Sequence, residues 1–157
     1  MRRLIPIAIL LALLLAPNAS ASHSQSLTFE APRDLMDPAK RAGALKEIDS
    51  LGVHSLRVIL NWRSVAPGQD SKTRPNFEPT DPDAYDWGQY VPLMAAIKAR
   101  GWSVLMTVTG PVPRWATAEK LDDRTRPSTS AFAAFVTAVG RKFGDQVDTW
   151  ARACSRT

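Results

Sequence analysis

The sequence predicts an α/β fold in which parallel strands alternate with covering helices. Three observations predict it. Apolar residues recur at helical spacing in three segments, and a short apolar run follows each one. A glycine closes every helical segment, at Gly52, Gly101 and Gly144. The loops after the strand-like runs are long and irregular, whereas the turns from helix to strand are short, which is the asymmetry of parallel α/β folds that carry a site at the strand ends.

Element by element, Leu27 to Phe29 reads as a first strand. A helix from Pro38 to Leu51 follows, with Asp37 as N-cap, Pro38 at the first helical position and Ala42, Leu45, Ile48 and Leu51 as its apolar stripe. Gly52 takes the left-handed position beyond it. The run Ser55 to Trp62 (SLRVILNW) is the second strand. A second helix is expected from Tyr85 to Arg100, capped by Asp83, with Trp87, Tyr90, Met94 and Ile97 buried. The third strand is Ser103 to Thr109 (SVLMTVT). A third helix from Ser130 to Lys142 turns Phe132, Phe135, Val136, Val139 and Phe143 to one side, and Val147 to Trp150 is the fourth strand. The closing glycines lie 49 and 43 residues apart, and the loops 63–82 and 110–127 are rich in Pro, Gly, Ser, Thr and Asp, ordered but irregular.

The amino terminus has the three parts of a secretory signal: Arg2 and Arg3, an apolar run from Leu4 to Ala16, and the small residues Ala19-Ser20-Ala21. Cleavage is expected after Ala21. A membrane span needs roughly 20 apolar residues, more than this run offers. No cysteine near the cleavage point offers a lipid anchor. The reading therefore divides the chain into a signal peptide (1–21), an α/β domain (22–150) and a tail (151–157), secreted or periplasmic and without a stable membrane anchor. Its single cysteine, Cys154, leaves no internal disulfide to hold the fold. The net charge of +5 comes mostly from the ends, since residues 22–151 hold 16 Lys/Arg and 15 Asp/Glu. The cations are scattered, which argues against a nucleic-acid partner. No His/Cys/Asp cluster has metal-ligand spacing, and no cofactor is expected.

Two architectures accommodate the alternation. An open nucleotide-binding sheet wants a glycine-rich turn after its first strand, but that turn reads Glu30-Ala31-Pro32-Arg33-Asp34. A (β/α)₈ barrel takes about 250 residues, so this chain has room for the N-terminal half, about three and a half units. The strand ends favour the barrel. Alternation puts Leu56, Val58 and Leu60 on one face of the second strand and Arg57, Ile59 and Asn61 on the other. Arg57 points either into a polar site or, from an edge, into solvent. Thr109 ends the third strand, and the prolines after it fix a loop that presents Trp115. That indole suits stacking on a sugar ring, or else plugs the barrel mouth.

Three segments, LGVHSLRVILNWRSVAP, YDWGQYVPLMAAIKARGWSVLMTVTGPVPRWA and RPSTSAFAAFVTAVGRKFGDQVDTW, resemble the N-terminal half of clan-A glycoside hydrolases of the family 5 cellulase-like or family 39 xylosidase-like types. The resemblance covers residues 27–150. It implies hydrolysis of O-glycosidic bonds in a β-linked glycan by a retaining mechanism. Two glutamates do the work there, one in a Trp-Asn-Glu-Pro motif ending the fourth strand and one ending the seventh. It also implies Arg57, Asn61, Trp62, Thr109 and Trp115 as substrate-binding residues. The sequence departs from the pattern after Trp150. It reads Ala151-Arg152-Ala153-Cys154-Ser155-Arg156-Thr157, and Ser155 falls near the place of the acid/base glutamate. A serine hydroxyl cannot act as that acid, and the nucleophile's strand lies beyond the C-terminus. The expectation is an inactive fragment produced by a frameshift or premature stop. Its alternatives are a non-catalytic carbohydrate-binding protein and an unrelated small α/β domain. Glu30, Asp34, Asp122 and Asp123 read as solvated loop charges. His23 and His54 have no Ser or Cys partner at a triad spacing.

Overall fold

The structure, a computed structural model, describes residues 27–152. The expected signal segment, His23, Cys154, Ser155 and the rest of the expected tail beyond Arg152 lie outside the described residues. The architecture is mixed α/β with a three-stranded parallel sheet. Strand β1 (Ser55–Asn61) pairs with β2 (Ser103–Thr109), and β2 with β3 (Thr149–Arg152), so spatial order follows chain order. The expected first strand is present as a single parallel bridge: the Phe29 N–H donates to the Ser55 carbonyl at 2.9 Å, and the Phe29 carbonyl accepts from Arg57 at 2.8 Å.

Helices α1 (Pro32–Met36), α2 (Pro38–Ser50), α3 (Trp62–Val65), α4 (Tyr90–Lys98) and α5 (Thr129–Phe143) connect these strands. Their ends follow local chemistry. Asp37 accepts the Ala39 N–H at 2.9 Å and Ser128 accepts that of Ala131 at 3.3 Å, each satisfying a donor the first helical turn leaves free. Gly52 leaves α2 at φ +70°, the left-handed position that only glycine takes at no steric cost.

The strands bury one face. Leu56, Val58 and Leu60 of β1 and Val104, Met106 and Val108 of β2 join Leu45, Ile48, Leu93, Met94, Ile97, Phe135 and Val139 in one core. Register places Arg57 beside Leu105, Ile59 beside Thr107 and Asn61 beside Thr109 on the opposite face, where only Thr107 is fully buried. Among the described residues no helix covers that face.

Several expected boundaries are corrected. The second helix begins at Tyr90 rather than Tyr85, and Asp83 is not its cap. Pro92 explains the shift: without an N–H it fits the first turn, but seven residues into a helix it would remove a hydrogen bond and clash with the preceding turn. Asp81 instead caps a 3₁₀ turn over Pro82–Ala84, accepting the Asp83 N–H at 3.0 Å. Tyr85 and Trp87 are buried from non-helical backbone. On α2 the stripe stops early, because Ala42 and Leu51 are exposed while Leu45 and Ile48 are buried. The last strand starts two residues late and runs through Ala151 and Arg152, so those two belong to the sheet and not to a tail. Before it, Gly144–Gln146 forms a 3₁₀ turn, and Asp148 joins β2 by accepting the Val104 N–H on its carboxylate at 2.8 Å.

Candidate functional site

The polar side chains singled out on the strands meet on the uncovered sheet face. Arg57 stands at its centre. Its Nε donates to Thr107 Oγ1 at 3.0 Å, and its Nη1 lies 3.4 Å from Glu30 Oε2. The carboxylate partner that a strand arginine needs is therefore Glu30, supplied by the residue that follows the first strand. This corrects the reading of Glu30 as a free loop charge. The signal for it was the register, because Glu30 follows Phe29 on the neighbouring strand at the level of Arg57. Asp34 faces Lys40 at 3.7 Å instead.

Asn61 and Thr109 sit side by side at the carboxyl ends of β1 and β2, both half-buried. The Asn61 backbone is pinned: its N–H donates to Tyr90 Oη at 3.2 Å and its carbonyl accepts from Ser64 Oγ at 2.8 Å. That leaves its amide as a directed donor–acceptor pair on the open face.

Trp62 and Trp115 are corrections. Trp62 begins α3, is wholly buried and stacks on Phe135 at 5.2 Å between ring centroids and 11° between planes. Trp115 meets it edge-on at 5.6 Å and donates its indole N–H to the Pro67 carbonyl at 3.1 Å. Phe132, Phe77, Tyr85 and Trp87 complete the cluster. A flat apolar ring gains more from burial among other rings than from standing in water. The loop prolines that fix Trp115 aim it inward. What it keeps of a surface is one wall of a 330 Å³ depression shared with Arg74, Ser128 and Ser130.

The two loops that follow β1 and β2 are laced together. Arg63 N–H donates to the Pro111 carbonyl at 3.0 Å and Arg114 N–H to that of Gln69 at 2.8 Å. The Arg63 side chain pairs with Asp70 and lies 3.8 Å from Asp123. Asp122 accepts from Thr125 by hydroxyl and backbone and from the Arg124 N–H, and these bonds, those from Thr125 first, hold its carboxyl at about 2. Both aspartates organise the loop. His54 contacts Trp102 edge-on at 6.0 Å and Asp49 at 3.9 Å, away from the open face.

The face is suited to binding hydroxyl-rich or anionic groups. Arg57 and Glu30 supply its charged pair. No group of three His, Cys, Asp or Glu side chains that could hold a metal occurs among the described residues, and no described helix is long and apolar enough to cross a membrane.

Fold and site together define a parallel α/β protein with a polar open sheet face. No protein-family model matches the chain, and no curated protein matches it significantly.

Proposed function

We propose that the chain is the N-terminal part of an exported glycoside hydrolase of the (β/α)₈ type. In the whole enzyme, two glutamates on strands outside this chain hydrolyse a β-linked glycan with retention. The observation that carries the reading is the parallel sheet in chain order, with polar side chains on the face its helices leave free. A doubly wound sheet reverses its strand order at a switch point and carries helices on both faces. A barrel adds strands in sequence, keeps every helix outside and gathers its site at the carboxyl ends of the strands. Asn61 and Thr109 occupy those ends, and Arg57 with Glu30 lies on the same face, where it would position substrate or a catalytic carboxylate.

Glycan binding by this chain alone has less support. The two tryptophans it would rest on are buried, and among the described residues the open face offers no exposed ring.

Reading the gene beyond the Trp150 codon tests the proposal. A Trp-Asn-Glu-Pro type segment followed by a later strand-end glutamate, in any frame, is the expected result. The restored full-length protein should then release reducing sugar from a β-glucan or xylan, and substitution of either glutamate by glutamine should abolish the release. A downstream sequence with no such coding potential in any frame overturns the reading.

A further inference from the structure

We propose that residues 118–126 form a flap hinged at a narrow neck, and that Arg63 is the charged latch holding it against the loop that follows β1. The flap belongs to the loop after β2, at the end of the sheet where Asn61 and Thr109 stand, so its position sets access to that end. The latch geometry is independent of the reaction proposed above.

The backbone builds the neck. Thr117 and Pro127 form an isolated antiparallel bridge. Beside it the Ser128 N–H donates to the Ala116 carbonyl at 2.7 Å, and the Ala118 N–H to that of Arg126 at 3.2 Å. A segment whose ends meet in this way is a compact loop on one stem, packed by its own side chains. The Asp122 carboxylate accepts the Arg124 and Thr125 N–H groups, Arg126 pairs with Glu119 at 2.8 Å, and the Lys120 N–H donates to Thr117 Oγ1 at 3.1 Å. Two anchors beyond the neck come from its own loop: the Val112 N–H donates to the Asp123 carbonyl at 2.9 Å, and Arg114 Nε to the Lys120 carbonyl at 2.6 Å. The remaining anchor runs from Arg63 Nε to Asp123 Oδ2 at 3.8 Å. Among the described residues it is the one hydrogen bond or ion pair that ties 118–126 to anything outside 110–128.

Arg63 is well placed to act as that latch. It follows the wholly buried Trp62 in α3, and its own N–H donates to the Pro111 carbonyl at 3.0 Å, so its side chain starts from a fixed point. The guanidinium then spans the seam between the loops. Nη1 donates to the Gln69 carbonyl at 3.3 Å and Nη2 pairs with Asp70, both on the β1 loop, while Nε faces Asp123 on the flap. The Gln69 carbonyl also accepts the Arg114 N–H at 2.8 Å, so one acceptor with two lone pairs serves both sides. The two carboxylates differ in exposure: the Asp70 side chain is 75% exposed and that of Asp123 29%, against 26% for Arg63. Water and salt screen the first pair most, so the second carries more of the attraction. Asp123 also lies 3.4 Å from Arg124, but Arg124 is part of the flap and moves with it.

Amide hydrogen exchange on the full chain tests this, because a local opening exposes only the bonds it breaks. The Val112 N–H reports the flap, since its acceptor is the Asp123 carbonyl, and the Met106 N–H in the central strand reports unfolding. Arg63→Gln should speed Val112 exchange about threefold, the scale of one partly exposed ion pair, and leave Met106 unchanged. Asp123→Asn should do the same, and combining the two should add nothing further. Asp70→Asn should have a smaller effect. Raising salt from about 0.05 to about 0.5 M should speed Val112 exchange in the parent and not in Arg63→Gln. If Arg63→Gln fails to fold, the nearly isosteric Asp123→Asn and the salt dependence of the parent decide. Val112 exchange unchanged in Asp123→Asn, a parent indifferent to salt, additive effects of the two substitutions, an Asp70→Asn effect as large as that of Asp123→Asn, or Met106 rising in step with Val112 overturns the latch.

Discussion

Truncating Trp62 to alanine asks directly whether this indole belongs to a surface or to the core. A tryptophan displayed for sugar stacking could be removed with little change in stability. The structure gives the opposite expectation. Trp62 has no exposed surface and meets Trp115, Phe132 and Phe135 at 5.6, 5.7 and 5.2 Å between ring centroids. Removing a fully buried tryptophan costs about 3–5 kcal/mol in lost burial and residual cavity. One term opposes this. The indole Nε1 of Trp62 is buried without a hydrogen-bond partner among the described residues, and a stranded donor carries a desolvation cost of about 1–3 kcal/mol that truncation relieves. The net loss centres on about 2 kcal/mol.

With a urea m-value of about 1–3 kcal/mol/M, the unfolding midpoint should fall by about 1–2 M, followed by far-ultraviolet circular dichroism. Trp62→Phe keeps a ring against Phe135 and deletes the stranded N–H, so it should cost less than about 1 kcal/mol. A Trp62→Ala midpoint within about 0.3 M of the parent would refute the core assignment and return Trp62 to the candidate ligand-binding residues.

Glu30→Gln should lower stability by less than about 1 kcal/mol, because the Arg57–Glu30 pair is partly exposed and screened; a larger loss in chemical denaturation would show that the pair holds the first strand in place. Gly68→Ala should destabilise more than Gly52→Ala in the same assay. Both residues have positive φ, but a Cβ at Gly68 would stand 2.6 Å from Pro75 Cγ whereas the space at Gly52 is open. Roughly 1 kcal/mol is expected at Gly52 and about 2–3 at Gly68, and equal losses would refute the steric argument. Burial raises the Tyr85 hydroxyl to about 12 from an ordinary 10.0, against a smaller lowering by Arg74. The folded state then holds the proton more tightly than the unfolded chain. Tyr85's contribution is complete below pH 10 and is lost as pH rises toward 12. In ultraviolet titration, Tyr85→Phe should remove one late-titrating phenol, and a loss of only ordinary phenols near pH 10 would contradict the buried placement.

Residues whose meaning is local were readable from the chain. Asp37-Pro38 and Gly52 delimit α2 because a cap, a locked φ and a left-handed glycine act within a few residues of backbone. Alternation in β1 separated Leu56, Val58 and Leu60 from Arg57, Ile59 and Asn61 because side chains alternate along any strand. The misread second helix was also local, since Pro92 states the limit and a continuous apolar stripe through Trp87 hid it.

The sequence by itself determined that strands and helices alternate in parallel, where most of them start and stop, and which strand face is polar. Only the tertiary structure decided what the far-separated residues do. Glu30 and Arg57 are 27 positions apart, and Trp62 and Phe135 are 73 apart. Register across the sheet makes the first an ion pair. Packing of α5 against the end of β1 makes the second a stacked core, turning two tryptophans expected at a sugar into the centre of the fold. Periodicity gives a side chain's direction relative to its own element. Which neighbour waits there is set by how elements are brought together, and that contact lies outside any local window.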